Sequence, residues 1–338
     1  MAIQSHASSI AREVNSLSTI ICEVKNLKKY FPIHGGILGL QTVAYVRAVN
    51  GVSFDIEQGE TFGLVGESGC GKTTTAKCIL GILPPTSGEI KFMGQSIFKG
   101  KMLRSFRRYL GVVFQDPFTS LTPTMTIEDI VGEPLEVHRL ISSRQEKRKI
   151  VRDLLEKVGI PPQYISRYPH EFSGGERQRI AIARALASKP KFIVADEPVA
   201  SLDVSLRADI LNLMLKLKRE FEITYLFISH DLSVIKYICD RVAIMYLGKI
   251  VEIAPVEELF KKPQHPYTRA LISAVPIPDP TVKKERIILY GDVPNPVNPP
   301  LGCRFHPRCY QYENLCKKKE PELFESRKNH FVACFKYY

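Results

Sequence analysis

The sequence predicts an α/β fold: a mainly parallel core sheet, an antiparallel β subdomain, an inserted helical lobe and a small Cys-rich C-terminal module. Three observations carry this. Short, wholly apolar runs at 61–65, 110–114, 192–194 and 225–228 alternate with stretches of helical spacing, the pattern of parallel strands covered on both faces. Residues 66–74 read G-E-S-G-C-G-K-T-T, between an apolar strand and a helical pattern. Prolines crowd 276–300, and four of the eight cysteines crowd the last 36 residues. The expected organisation is a frayed, Ser-rich tail (1–19), a main domain (20–262) with a helical lobe at about 115–190, and an extension (263–338) in which a Pro-rich, semi-rigid linker leads to a separate four-Cys module.

In chain order, β-branched and aromatic runs at 20–31 and 45–56 read as strands around the glycine-bearing loop H-G-G-I-L-G-L, an antiparallel flap. Tyr30, Phe31 and Tyr45 are the candidates there to stack on an adenine ring. The strand at 61–65 and a helix at 73–80 bracket the glycine-rich loop, and P-P-T-S-G (84–88) is a turn before a short strand at 89–93. Ile127, Ile130, Val131, Ile150, Leu154, Leu155 and Val158 carry the helical spacing of the lobe. Helices follow F-S-G-G-E and span 204–221, and Gly248 centres a hairpin at 241–254 that closes the sheet.

The chemistry begins with G-x-x-x-x-G-K-S/T in strand–loop–helix context. Gly66, Glu67, Ser68, Gly69, Cys70, Gly71, Lys72, Thr73 and Thr74 form it. The glycines let backbone N–H groups meet phosphate oxygens, and the helix start presents its unpaired N–H groups to the same anion. Lys72 places a point charge between β- and γ-phosphates, and Thr73 offers a hydroxyl to Mg²⁺. Asp196 and Glu197 end an apolar strand, one suited to Mg²⁺ and its water shell, the other to polarising the attacking water. Gln115 and His230 stand at other strand ends, where open α/β sheets bind ligands. Ser173, Gly174, Gly175 and Glu176 open a second anion-receptive helix about 100 residues further on, which suits a head-to-tail pair closing each other's sites. The Cys70 thiol, at a helix N-terminus, is a candidate for a lowered pKa, although a small residue chosen for fit explains it more simply.

A net charge of +12 suits anionic partners without choosing among nucleic acid, lipid headgroups and nucleotide. No run of about 18 apolar residues is present, and no secretion signal is expected. The lysines lack the aromatic interleaving of a nucleic-acid platform.

Together these motifs resemble an ATP-binding-cassette (ABC) ATPase. The match covers the Walker A loop (66–73), the Q-loop Gln115, the signature motif (172–176), the Walker B strand (192–197), the D-loop Ser201-Leu202-Asp203 and the switch His230. The resemblance implies ATP and Mg²⁺ as cofactors, with Mg²⁺ on Thr73, Gln115 and Asp196, Glu197 as general base, His230 as γ-phosphate sensor, and Ser173 to Gly175 acting in trans. One departure is F-S-G-G-E where the family usually has L-S-G-G-Q. Segments such as R-Y-P-H-E-F-S-G-G, H-P-Y-T-R-A-L-I-S-A-V-P-I-P-D-P and G-C-R-F-H-P-R-C are similar to the ATPase subunits of oligopeptide/dipeptide importers, the F-type more than the D-type. That implies a peripheral protein on the cytoplasmic face of the membrane. Its partners would be a second ATPase subunit, two permease subunits and an extracytoplasmic solute-binding protein. The alternatives are a soluble ABC ATPase acting on nucleic acid or ribosomes, and an exporter cassette.

The tail spacing is C-x5-C-x6-C-x17-C, on Cys303, Cys309, Cys316 and Cys334. Clustered thiols without an export signal read as metal or cluster ligands, zinc or iron–sulfur. The resemblance implies a 4Fe–4S cluster, with Zn²⁺ as the alternative.

Overall fold

The computed structural model describes residues 20–35, 41–98, 106–276 and 285–338. Strands β1 (Ile20–Gly35) and β2 (Gln41–Glu57) pair antiparallel along their length. The next strand, β3 (Thr61–Val65), is buried at every position and belongs to a different sheet. Strands β4 (Ser87–Phe92) and β5 (Gln95–Ser96) join the first pair in the order β2-β1-β4-β5. This is the antiparallel subdomain. Its apolar face packs on the main sheet, where the Phe54 and Phe62 rings stack at 5.1 Å.

The main sheet runs through β6 (Leu110–Val113), β7 (Phe192–Asp196), β8 (Thr224–Ser229), β9 (Arg241–Tyr246) and β10 (Lys249–Pro255), with β3 between β8 and β9. The five strands β9-β3-β8-β7-β6 are parallel, and β10 returns antiparallel to β9. Apolar side chains on both faces of these strands are what two covering layers require, and β3, β7 and β8 are buried throughout. The loops after β3, β6, β7 and β8 therefore leave the carboxyl ends of parallel strands, on one rim of the sheet.

Between β6 and β7 the chain forms four α-helices: Pro117–Ser120, Ile127–Val137, Arg144–Lys157 and Gly174–Leu186. Their starts are encoded locally. Thr126 and Ser143 accept N–H groups of the first turns, and Glu146 reaches back to the Ser142 N–H. Ile127, Ile130, Val131, Leu154, Leu155 and Val158 face one shared core, as their spacing predicts.

The C-terminal extension departs from expectation. It is not a separate module. Strands β11 (Phe324–Arg327) and β12 (His330–Val332) continue the main sheet, with Glu252 opposite Val332 and Ile253 opposite Phe331. The physical reason is the open edge of β10. Pairing it satisfies backbone groups that a small, loop-rich tail could not satisfy alone. The Pro-rich stretch is likewise pinned: the Arg47 N–H donates to Pro296 O at 3.2 Å, and the Ile287 N–H to Ser273 Oγ at 3.0 Å. Its residues 277–284 lie outside the described residues, as do the 1–19 tail and the loop at 36–40.

Candidate functional site

The loop after β3 wraps the start of the helix Lys72–Ile79. Two of its glycines have no alternative. A Cβ on Gly66 would sit 2.1 Å from Met245 O, and one on Gly71, whose φ is +109°, 2.3 Å from Ala48 O. The close approach lets neighbouring strands brace the loop, and the Gly248 N–H donates to Cys70 O at 2.9 Å. Lys72 is buried, its ammonium donating to Gly66 O at 2.8 Å and Glu67 O at 3.1 Å.

Across the rim, Asp196 ends β7, and Thr73 Oγ1 donates to its Oδ1 at 3.3 Å. Burial raises the Asp196 carboxyl above its usual range. Glu197 follows with φ +48°, a left-handed backbone rare outside glycine, and its N–H donates to Ile228 O at 3.0 Å. That turn lifts its carboxylate off the strand toward His230, whose Nδ1 lies 3.1 Å from Glu197 Oε2. Ser68, Gly69, Gly71, Lys72, Thr73, Thr74, Gln115, Glu197 and His230 line one cavity of about 490 Å³. This collects residues from four strand ends, as the sequence led us to expect.

Some expected residues stand elsewhere. Ser173 caps the helix Gly174–Leu186 on an exposed surface, with Glu176 closing a capping box: the Ser173 N–H and Oγ donate to Glu176 Oε2 at 2.9 and 2.8 Å. Those hydrogen bonds hold the Glu176 carboxyl below its usual range. Gly175 faces Leu206, so the signature turn sits beside the helix Val204–Phe221 that Asp203 caps. Neither Ser173 nor Asp203 lines the cavity of its own chain. Among the adenine-stacking candidates, Tyr30 donates its hydroxyl to Asn50 Oδ1, Phe31 lies under Lys29, and Tyr45 is exposed; none of the three lines the cavity. Cys70 is buried and its thiol is pushed up, not down, because desolvation outweighs Lys72 3.8 Å away. The reactive-thiol expectation fails on that ground.

The four tail cysteines line one narrow cavity of about 20 Å³ with Phe305 and His265. Burial pushes Cys303 up to about 12 and Cys309 up to about 11, and neighbouring thiols push further. Among the described residues, no three His, Cys, Asp or Glu side chains gather as a single-ion site.

Sequence reasoning missed the tail's grip on the phosphate loop. The Glu67 N–H donates to Tyr267 Oη at 3.0 Å, and its carboxylate takes both Arg308 amino groups, at 2.8 and 3.1 Å. The one signal was that Tyr267 and Arg308 fall within H-P-Y-T-R and H-P-R-C, segments already marked for their resemblance.

Comparison with known proteins agrees with this geometry. The ABC transporter family profile matches residues 49–200, and that of the oligopeptide/dipeptide transporter C-terminal region matches 251–316. The oligopeptide transport ATP-binding protein AppF of Bacillus subtilis is 50% identical over 322 residues, covering 94% of this chain and 97% of that protein. A putative peptide import ATP-binding protein of Brucella ovis is 48% identical over 320 residues, covering 94% and 98%. The ATP-binding cassette MJ0796, solved as a post-hydrolysis dimer with ADP and Pi, superposes with a TM-score of 0.61 at 28% identity, covering 70% of this chain and 98% of that one.

Proposed function

The chain belongs to the ABC transporter family and is an ABC ATPase; from this we propose that it powers uptake of oligopeptides or dipeptides through a membrane importer. Relatives at about half identity along nearly the whole chain, C-terminal region included, support the solute class. The observation that carries the chemistry is the cavity in which Glu197 and His230 face the Lys72 loop.

ATP phosphates lie against the loop N–H groups, with the Lys72 ammonium turned from Gly66 O and Glu67 O to the β- and γ-oxygens. Thr73 and Asp196 fit a Mg²⁺ site, a hydroxyl and a desolvated carboxylate side by side, with Gln115 on the same cavity. When bound, the ion neutralises phosphate charge. Glu197 holds the attacking water and takes its proton; His230 orients Glu197 and contacts the γ-phosphate. Ser173, Gly174 and Gly175 lie outside their own cavity, which suits a site completed by a second ATPase subunit, with Asp203 beside that seam. In this reading the chain sits at the cytoplasmic face of the membrane, beneath two membrane-spanning permease subunits, and an extracytoplasmic binding protein delivers the solute from the other side. Among the described residues no helix is long and apolar enough to cross a membrane.

Cys303, Cys309, Cys316 and Cys334 are assigned as ligands of a 4Fe–4S cluster with a structural role. The reading rests on the crowding of four cysteines into the last 36 residues, and iron and sulfide content decides it.

Glu197→Gln tests the hydrolytic reading. Hydrolysis falls at least about a hundredfold while ATP binding persists; unchanged hydrolysis would remove Glu197 from the mechanism. Copurification with integral membrane proteins, and not with ribosomes or nucleic acid, separates the importer from the soluble alternative.

A further inference from the structure

The loop that receives phosphate is held from two sides. One side is the cassette itself, whose backbone at Met245 O and Ala48 O closes on Gly66 and Gly71 too tightly for a Cβ. The other is the C-terminal extension. Arg308 lies between two of the clustered cysteines in sequence, yet its guanidinium points away from them and grips Glu67, the second residue of the phosphate loop, as a two-pronged fork. The Arg308 side chain is 9% exposed and that of Glu67 29%, so the pair is partly shielded from water. Tyr267, fully buried, accepts the Glu67 N–H. It is fixed in turn by a cluster of rings: Tyr246 at 4.8 Å and Phe305 at 5.4 Å. A second arm of the extension reaches the same loop indirectly. Arg304 donates to Leu247 O, and the adjacent Gly248 N–H holds Cys70 O.

Glu67 thus has its N–H, its carboxylate and its carbonyl all engaged, the carbonyl by Lys72. Its backbone orientation fixes where the Lys72 ammonium rests and how the following N–H groups point.

We propose that Arg308 and Tyr267 are positioning residues for the nucleotide site: through Glu67 the C-terminal extension sets the shape of the phosphate loop, and hence its affinity for nucleoside triphosphate. This rests on reading residues 66–74 as the nucleotide site. Neither residue lies in the cassette segment matched by the ABC transporter profile, so the control is an addition made by the extension. Glu197 and His230 are not among the partners of Arg308 or Tyr267, so the chemical step is spared.

The test is equilibrium binding of a fluorescent ATP analogue to the full chain, with steady-state hydrolysis alongside. Arg308→Met and Glu67→Gln each weaken binding roughly tenfold, and the double variant is no weaker than either single one. Tyr267→Phe keeps the ring packing and weakens binding about threefold. In Arg308→Met and Tyr267→Phe KM rises and kcat at saturating ATP stays near the wild-type value. A purely structural docking role would instead lower the unfolding temperature and leave affinity unchanged, and that result overturns the proposal. So does full additivity of Glu67→Gln and Arg308→Met. Lys72→Ala separates the two levels: if it binds ATP like the wild type, the nucleotide-site reading has failed; if it loses binding while Arg308→Met does not, only this inference has. Should Arg308→Met not fold, Glu67→Gln and Tyr267→Phe decide between the same results.

Discussion

Glu176 shows how one side chain can both build a site and weaken it. As the third residue of its helix, it closes a capping box on Ser173 and stabilises the helix start by about 1 kcal/mol. The same contacts place an anion on the two Ser173 donors that a γ-phosphate from a partner subunit would use. Glutamine keeps the box and removes the charge. Glu176→Gln therefore lowers the ATP concentration for half-maximal hydrolysis by about two- to fivefold, read from steady-state kinetics of the assembled ATPase pair. An unchanged or higher value would show that the carboxylate swings clear when the partner closes. Glu197 makes the complementary point. A left-handed backbone at a non-glycine residue is costly by roughly 1–3 kcal/mol, and here it aims the carboxylate into the cavity.

At the scale of elements, the instructive junction lies between β10, the helix Pro266–Ser273 and β12. Glu252 is fully buried and accepts the Gln264 N–H at 2.7 Å and the His265 N–H at 3.0 Å, and its Oε1 lies 2.7 Å from His330 Nε2. One carboxylate thereby stitches three segments. His265 caps the helix by accepting the Tyr267 N–H on Nδ1, which requires that nitrogen to be unprotonated. Burial lowers its pKa from 6.5 to about 4, against the pull of Glu252. Between those values the unfolded chain binds a proton that the native chain refuses. The stability contributed by neutral His265 is thus complete above pH 6.5 and is lost as pH falls toward 4, on the order of 3 kcal/mol in all. Urea unfolding at pH 7 and pH 4.5 measures it. In His265→Gln the fall over that interval is smaller; an identical fall in both proteins would assign it to other groups.

For the whole molecule, the decisive fact is continuity. Eight strands form one sheet from the signature side at β6 to the tail at β11. The tail is built onto the cassette, and its thiol cavity shares Phe305 with the ring cluster behind the phosphate loop. Protein purified without oxygen is expected to carry about four irons and four sulfides per chain, with visible charge-transfer absorption. One zinc and no iron, or no metal at all, would replace the cluster with a structural ion or with plain packed thiols. The ATPase assignment would stand in either case, because none of its residues is a tail cysteine.

The nucleotide site was legible because its signals are local. Gly66 and Gly71 are dictated by close backbone approach, Lys72 and Thr73 by their place at a helix start, and Asp196, Glu197 and His230 by the ends of apolar strands. Chain order and hydrophobic period by themselves determined the parallel core, the flap, the helical lobe and the rim that carries the proposed ATP site. Only the tertiary structure decided that the Cys-rich tail extends the main sheet and that Arg308 holds Glu67 across 241 positions of sequence. It also decided that Cys70 is buried, with its thiol pushed up and not down. Those outcomes depend on which open edge meets which strand, and on how much water is excluded when they meet. No stretch of sequence records such long-range burial and edge pairing, because they exist only once the distant segments have packed.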